Sequence, residues 1–198
     1  MTKPWILALA LSTLPRISAA ADEPSILVVF DSRTGHTETL AKAVVEGVDQ
    51  VEGVVAVLRR RDEVQDEDIL SSSGILLGSP VHWASLSAES KAFLERVGQV
   101  LVEAKELGPG TTARNRTAGA FVTGGAVSSG KELARLSILA AFLNMRFVVV
   151  GGEEADGFGT LGAQATTAGS DPGVSEAELE EARRFGRRFA TMTLALVR

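Results

Sequence analysis

Short runs of apolar, mainly β-branched residues recur along the chain and predict a series of buried strands. The first run, residues 26–30, is apolar without interruption, which is typical of a parallel strand covered on both faces. Similar runs occupy residues 54–58, 75–77, 118–122 and 147–150. The sequence therefore predicts five strands.

Between these runs, apolar residues recur at the three- and four-residue spacing of an amphipathic helix. After the first strand, the stripe consists of Leu40, Val44, Val48 and Val51. After the third strand, it consists of Phe93, Val97 and Val100 or Leu101. After the fourth strand, it consists of Leu133, Leu136, Ala140 and Leu143. A closing helix is expected after Ser175 and Glu178, which are spaced as a capping box. This alternation predicts an α/β fold, a parallel sheet with helices on both faces.

The composition suits one globular domain. The chain has 198 residues, of which 45% are hydrophobic. Its net charge of −5 argues against nucleic acid as a partner. Because it has no cysteine, disulfides, thiolate metal sites and cysteine nucleophiles are excluded, and no metal site is predicted.

The N-terminus has the layout of a secretory signal peptide. Lys3 precedes the apolar run 5–11, and small residues follow at 18–21. An uncleaved anchor and a buried first helix are the alternatives, but the run is far shorter than the roughly 20 residues that a stable membrane span needs. We expect residues 1–21 to be removed and residues 22–198 to act in the periplasm or outside the cell.

The turn after the first strand has the residue types of an anion site. Its candidate binding residues are Ser32, Arg33, Thr34, Gly35, His36 and Thr37. Backbone N–H groups at a helix N-terminus and hydroxyl donors favour a negatively charged ligand. The spacing S-x-T-G-x-T is neither the dinucleotide fingerprint nor a P-loop. The alternative is structural, with Gly35 permitting a tight turn and Thr37 capping the helix.

Two more segments that follow strands have features of a binding site. The third strand leads into Pro80, Val81, His82 and Trp83, where the indole offers a flat surface for a ring, unless Trp83 only covers the edge of the core. The fourth strand opens onto a loop whose backbone can approach a ligand closely, unless it is a flexible linker. Its candidate residues are Thr123, Gly124, Gly125, Ala126 and Val127.

Two further segments allow less specific interpretations. Arg59, Arg60 and Arg61 could hold an extra phosphate of NADPH, but a charge run where a strand meets solvent is more often a solvated connection. Residues 151–174 contain glycines and acidic residues without strong periodicity, which indicates a long functional loop.

These motifs resemble those of flavodoxin-like proteins. The S-x-T-G-x-T turn is similar to the flavodoxin loop that wraps the FMN phosphate. Residues 78–97 are similar to the second flavin loop and following helix of the WrbA-type NAD(P)H:quinone oxidoreductases, in which the residues matching Val81, His82 and Trp83 contact the flavin ring. The resemblance covers nearly everything from Ser25 to the C-terminus.

The resemblance implies a flavodoxin-like sheet of order 2-1-3-4-5 and an FMN cofactor at the carboxyl ends of its strands. It implies an FMN-dependent oxidoreductase that uses NAD(P)H or another reduced donor to reduce a quinone-like acceptor by two electrons, with no side chain needed as acid or base. The alternatives are a one-electron carrier for a redox partner protein and a flavin-free binding module. Assembly into a homo-oligomer stays open.

The chain departs from the family pattern in two respects. The family's aromatic residue after the third helix and histidine near the end of the fourth, which line the space above the flavin, align near Leu101 and Leu143. There is also no tyrosine to form a second aromatic wall, so Phe158 or a neighbouring subunit would have to supply one. We expect slower quinone turnover than in related enzymes.

Overall fold

The computed structural model describes residues 23–154, 156–167 and 173–197. The expected signal peptide, residues 1–21, lies outside these ranges. Within them, no helix is both long enough and apolar enough to cross a bilayer.

Strands and helices alternate along most of the described chain, as the apolar pattern predicts. In chain order they are β1 (Ser25–Phe30), α1 (His36–Val48), β2 (Val55–Arg60), α2 (Asp66–Ser71), β3 (Gly74–His82), β4 (Ser85–Leu86), α3 (Ala88–Glu103), β5 (Thr117–Gly124), α4 (Lys131–Asn144), β6 (Val148–Val149), β7 (Gly152–Glu153), β8 (Gly159–Thr160), β9 (Gln164–Thr166) and α5 (Glu176–Val197).

The central sheet is parallel and has the order β2-β1-β3-β5-β6. This confirms the predicted order 2-1-3-4-5, because β4 is only a short antiparallel partner of the end of β3. β3 lies in the middle. β1, beside it, also pairs on both sides, with Ile26 aligned to Ala56 of β2 and to Gly74 of β3. The apolar run at residues 26–30 is buried, as its composition predicts.

The outer edge next to β5 is divided between two short strands. β6 pairs with the start of β5 at Thr117, and β9 pairs with its end at Val122, Thr123 and Gly124. The antiparallel pair β7–β8 lies between them in the chain. The prediction of a long loop over 151–174 is therefore wrong for residues 152–153, 159–160 and 164–166, because strands of two or three residues are too short to show a periodic pattern.

The two faces of the sheet form separate cores. One core contains residues of α1 and α5 and is rich in phenylalanine, including Phe185 and Phe189. The other contains residues of α3 and α4, including Leu94 and Phe142. Helix α5 begins as predicted, since the Ser175 hydroxyl donates to Glu178 Oε2 at 2.7 Å.

Helix α4 packs on the sheet with the face opposite to its leucine stripe. Leu133, Leu136, Ala140 and Leu143 do share one side, but that side is exposed. The residues that pack on the sheet are Ala134, Ile138, Leu139 and Phe142. Both sides of this helix are apolar, so periodicity alone does not select the buried one.

Candidate functional site

The candidate residues lie at the carboxyl ends of β1, β3 and β5, which are neighbours in the sheet. The first loop, residues 31–35, leads into α1, whose first turn holds His36 and Thr37. In the second segment, Pro80, Val81 and His82 belong to β3 and Trp83 follows it. In the third, Thr123 and Gly124 end β5, and residues 125–130 form the loop before α4. An open parallel sheet has its binding crevice at this edge.

Hydrogen bonds within the first loop hold it in shape. Gly35 N–H donates to Ser32 Oγ at 3.0 Å, and Thr34 Oγ1 lies 2.8 Å from His36 Nδ1. Gly35 is the N-cap of α1 with φ +93°, a left-handed conformation that glycine adopts at little cost. Gly35 has no side chain to cap this helix, and the helix N-terminus favours a negatively charged ligand.

The hydroxyl of Thr37 joins the first loop to the third. It lies 2.8 Å from the hydroxyl of Thr123, and both residues are buried. Thr37 is therefore not the N-cap of α1, which is Gly35, but its hydroxyl has a structural partner in Thr123. The pair fixes the end of β5 against the first turn of α1.

A buried polar network lies behind the first loop and was not assigned a role from the sequence. Asp31 accepts a hydrogen bond from the Ser87 hydroxyl at 2.7 Å, and Ser87 N–H donates to Ser79 Oγ at 3.0 Å. Ser87 is the N-cap of α3 and also accepts from Ser90 N–H. These contacts tie the ends of β1 and β3 to α3. A serine just before the Ala88–Glu103 helical pattern is the signal that could have revealed the cap.

The second segment is a tight β-hairpin with an aromatic tip. Val81 pairs with Leu86 and His82 with Ser85, so Trp83 and Ala84 are the two turn residues. Their φ angles are +51° and +63°, as in a type I′ turn, where asparagine and glycine are usual. The Trp83 side chain is fully exposed at 101% of its reference area. It does not cover the edge of the core, so that alternative is wrong.

The start of α4 supports this hairpin. Gly130 is the N-cap of α4 with φ +90°, and a Cβ added to it would lie 2.5 Å from Ala84 Cα. Only glycine allows the two backbones to approach so closely. The second and third segments are therefore in direct backbone contact.

A cavity of about 630 Å³ opens between the first loop and the hairpin. Its lining consists of Arg33, Val81, His82, Trp83, Leu86, Ala88 and Glu89. Its size is in the range of small-molecule sites. Another cavity, of about 390 Å³, lies between β6 and α5 beside Thr117, at the other end of β5, and none of the candidate residues lines it.

One charged pair borders the larger cavity. Arg33 Nη2 lies 3.2 Å from Glu89 Oε1. The pKa of Glu89 is lowered, first by a hydrogen bond from its own backbone N–H in the first turn of α3 and then by Arg33. Glu89 Oε2 is buried and has no hydrogen-bond partner within the described ranges. The cavity thus combines an indole and aliphatic groups with an ionised pair and a spare acceptor.

The third loop carries a buried cation at its base. Residues 125–128 are exposed, whereas Lys131 is 2% exposed and donates from Nζ to Thr166 Oγ1. Burial lowers the pKa of Lys131. Thr167 N–H donates to Gly124 O at 2.9 Å, so the residues after β9 also contact this loop. No local sequence pattern indicates this contact, because its partners are more than 40 residues apart.

The arginine run has carboxylate neighbours. Arg59 lies 3.6 Å from Asp68 and Arg60 lies 3.0 Å from Asp62. Arg61 Nε lies 3.6 Å from Asp31 Oδ1. Because these arginines are paired with carboxylates, the run is better explained as a solvent-exposed connection than as a site for the extra phosphate of NADPH. Across the described ranges, no group of three or more His, Asp or Glu side chains is placed to hold a metal ion.

The positions that depart from the family pattern do not line the crevice. Leu101 is buried in the core near the end of α3, and Leu143 is exposed in the last turn of α4. Phe158 is exposed between β7 and β8. A second aromatic wall is therefore not evident among these residues.

The sheet order and the three converging segments define a protein of the flavodoxin-like class. Residues 60–159 match the family described as NADPH-dependent FMN reductase. The chain is 35% identical over 167 residues to a flavodoxin of Aquifex aeolicus, covering 83% of this chain and 84% of that protein. It is 27% identical over 208 residues to an NAD(P)H dehydrogenase (quinone) of Solidesulfovibrio magneticus, covering 87% and 98% of the two chains.

A solved structure shows the same fold. The WrbA-like flavodoxin of Agrobacterium tumefaciens superposes with a TM-score of 0.68 at 20% identity, covering 87% of this chain and 99% of the other. The chain belongs to the NADPH-dependent FMN reductase family, within the flavodoxin-like class.

Proposed function

We propose that the protein is an FMN-dependent oxidoreductase that transfers two electrons from NAD(P)H, or another reduced donor, to a quinone-like acceptor. The observation that carries the proposal is the convergence of a hydroxyl-lined helix N-terminus with an exposed indole at one sheet edge. The matched family description and the relatives named as quinone dehydrogenases support the same chemistry.

The residues of the crevice fit the two ends of FMN. The hydroxyls of Ser32, Thr34 and Thr37 and the first N–H groups of α1 are neutral donors suited to a monoester phosphate. A Cβ at Gly35 or Gly125 would have nothing within 4 Å, so both positions leave open space beside the backbone. Val81, His82, Trp83 and residues 123–127 would contact the ring.

FMN, when bound, supplies the redox chemistry, and the protein positions it. Trp83 supplies one flat wall, and the hydrogen-bonded first loop fixes the phosphate end. The chain has no tyrosine for an opposite wall. An open ring face leaves room for nicotinamide and then quinone to stack against the cofactor, which favours the reductase over an electron carrier.

The alternative is a one-electron carrier for a redox partner protein, and a specific comparison favours it. The relative with 35% identity is named a flavodoxin, and the net charge of −5 would suit a basic partner. The two functions predict different redox behaviour, because a carrier separates its two one-electron steps.

Two measurements on the FMN-loaded protein distinguish these functions. We expect steady-state reduction of benzoquinone by NADPH or NADH, and a redox titration with a single two-electron transition. Two well-separated one-electron transitions without quinone reduction would establish the carrier instead. Failure to bind FMN at all would leave the flavin-free module as the better interpretation.

We also propose that the protein is exported to the periplasm or beyond. The motivation is the order of basic, apolar and small residues over positions 1–21. Mass spectrometry of the protein from its native host should find a new N-terminus near Ala21 or Asp22. A soluble cytoplasmic protein that retains residues 1–21 would contradict export.

A further inference from the structure

Lys131 is a buried cation whose hydrogen-bond partner is neutral. It is the first residue of α4 and is 2% exposed. Its ammonium donates to the hydroxyl of Thr166. Lys131 takes part in none of the ion pairs found within residues 23–154, 156–167 and 173–197. Burying a charge without an opposite charge in contact costs free energy, so the position indicates a use for the cation beyond packing.

The carboxylates near Lys131 compensate its charge only at longer range. Burial lowers the pKa of Lys131, whereas Glu178 and Glu132 raise it and so favour the ammonium form. Glu178 accepts hydrogen bonds from Thr166 N–H and from the Ser175 hydroxyl, each at 2.7 Å. The ammonium is therefore held by a hydroxyl and not by a carboxylate.

The stem of Lys131 packs against the third loop. A Cβ added to Gly124 would lie 3.0 Å from Lys131 Cγ and 3.2 Å from its Cδ. Thr166, which holds the ammonium, is aligned with Gly124 in the pairing of β5 and β9. The positive charge therefore lies at the carboxyl end of β5, the edge of the sheet where the crevice opens.

The N-terminus of α4 adds positive potential at the same place. The helix begins after its N-cap Gly130, and the macrodipole of a helix is equivalent to about half a positive charge at this end. The hydroxyl of Ser129 is buried and has no hydrogen-bond partner in the described part of the chain. A Cβ added to Gly124 would lie 2.4 Å from this hydroxyl oxygen. The base of the third loop thus combines an ammonium, a helix N-terminus and a spare donor.

Reduction of a flavin creates a charge that this arrangement can stabilise. Two electrons and one proton, which a hydride from NAD(P)H supplies together, convert the neutral ring into a reduced ring with one negative charge. The quinone-like acceptor takes the two electrons with that proton and a second proton from water, and the ring becomes neutral again. The negative charge is spread over the pyrimidine end of the ring. This end also carries the carbonyl oxygens, so it suits the backbone N–H donors of the third loop.

We propose that Lys131 raises the two-electron midpoint potential of the bound flavin by stabilising the negative charge of the reduced ring. The inference rests on the proposed function in one respect, which is that FMN occupies the crevice with its ring beside the third loop. The net charge of −5 acts in the opposite direction, because it disfavours a further negative charge. Lys131 offsets it locally and makes the flavin a better acceptor for the donor's electrons.

Neutralising the side chain tests the proposal. Lys131→Met keeps a similar length and removes the charge. Redox titration of the FMN-loaded variant should give a midpoint potential at least about 30 mV lower, which corresponds to a tenfold loss of affinity for reduced relative to oxidised FMN. Oxidised FMN has a neutral ring, so calorimetry should show its affinity changed by less than about threefold. Lys131→Arg keeps the charge and should keep the potential.

The matched control is Lys105→Met, which removes the same charge far from the crevice. Lys105 is exposed and follows α3, a helix of 16 residues that begins beside the hairpin, so it lies about 24 Å from that end. Its replacement should leave the potential unchanged. Raising the salt concentration from about 0.05 M to about 0.5 M should preserve the difference caused by Lys131→Met, because a buried charge is screened much less than an exposed one.

Riboflavin separates an effect on the ring from an effect on the phosphate. Lys131→Met should shift the potential of bound riboflavin as much as that of FMN, because the two share the ring. A purely structural role predicts another pattern, in which loss of the bond to Thr166 lowers the free energy of unfolding of the apo-protein and leaves the potential unchanged. We expect apo-protein stability to be retained, because an apolar side chain of similar size commonly replaces a buried charge without loss.

Three outcomes would overturn the proposal: an unchanged potential in Lys131→Met, an equal shift in Lys105→Met, or a shift that is absent with riboflavin. None of these measurements depends on turnover, so the inference and the proposed reaction can fail separately. An FMN-loaded protein that shows the shift without reducing benzoquinone would retain the role of Lys131 and lose the reaction. A quinone reductase without the shift would retain the reaction and lose the role of Lys131.

Discussion

The first loop and the hairpin tip both turn through the left-handed region, but they do so with different residues. In the first loop the residue with positive φ is Gly35, which adopts this conformation at little cost. In the hairpin the residues are Trp83 and Ala84, for which it costs about 1–2 kcal/mol each. The first loop is also closed by its own hydrogen bonds, whereas the indole of Trp83 is fully exposed.

This difference indicates that the two ends of the crevice are prepared for a ligand in different ways. The first loop, which we propose holds the phosphate, is fixed by its own hydrogen bonds, so we expect its backbone to move little on binding. At the hairpin, Trp83 and Ala84 adopt strained backbone conformations that hold the indole away from the core. Such strain is found mainly at functional sites, where the surrounding structure enforces it. We therefore expect variants of the first loop to change selectivity for the phosphate, and variants of the hairpin to change ring binding and stability.

The largest expected effect comes from the hydroxyls of the first loop. Thr34→Ala with Thr37→Ala removes two donors, and a hydrogen bond to a charged group contributes about 1.5–3 kcal/mol. Calorimetry should show FMN binding weakened by at least about 100-fold. Riboflavin should be weakened much less, by about fivefold or less, because Thr37→Ala also removes the hydrogen bond to Thr123 that supports the third loop.

The matched control for this variant is Thr39→Ala. Thr39 lies one turn further along α1 and bonds only to Gly35 O in this region, at 3.1 Å. Its replacement should leave both ligands unaffected. Equal losses of FMN and riboflavin in the double variant would contradict the assignment of the phosphate to this loop.

The next effect comes from the backbone contact beneath the hairpin. Gly130→Ala places a Cβ 2.5 Å from Ala84 Cα and forces an L-residue to φ +90°. Strain of about 1–2 kcal/mol and overpacking of about 1–3 kcal/mol should lower the free energy of unfolding by about 2–5 kcal/mol. Denaturant unfolding should show this loss, and FMN and riboflavin should both bind more weakly.

Gly125→Ala provides the comparison in the same loop. A Cβ there would meet nothing within 4 Å, so the free energy of unfolding should change by less than about 0.5 kcal/mol. If Gly130→Ala were as stable as Gly125→Ala, the hairpin would not depend on this contact.

A smaller effect is expected from the indole itself. Trp83→Ala removes the stacking surface, which contributes about 0.5–1.5 kcal/mol, so FMN and riboflavin should each bind about 2- to 13-fold more weakly. Titration of flavin fluorescence would measure both. A loss confined to FMN would place Trp83 near the phosphate and reverse the orientation of the cofactor.

The smallest effect concerns the strain at the hairpin tip. Ala84→Gly should relieve about 1 kcal/mol of left-handed strain, partly offset by the greater entropy of glycine in the unfolded chain, for a net gain of about 0.5 kcal/mol. Ala92→Gly, on an exposed position of α3, should instead lose about 1 kcal/mol. Thermal unfolding of both variants would show opposite shifts, and shifts of the same sign would argue against strain at Ala84.

The order of the five main strands and of helices α1, α3, α4 and α5 was determined by the sequence alone. Five apolar runs alternate with amphipathic stripes, and a parallel sheet with this alternation brings its loops to one edge. The capping box of Ser175 and Glu178 could also be predicted from the sequence, because the two residues are only three positions apart. Local patterns of this kind depend on residues a few positions apart, so the sequence displays them directly.

Other features were decided only by tertiary structure, because they depend on residues distant in sequence. Thr37 bonds to Thr123, and Gly130 is required by the backbone of Ala84. The turn at Trp83 contains no glycine or asparagine from which it could be predicted. Packing against the sheet determines which apolar side of α4 is buried. Periodicity specifies that a helix has an apolar face, but when there are two such faces, only packing against the sheet determines which one is buried.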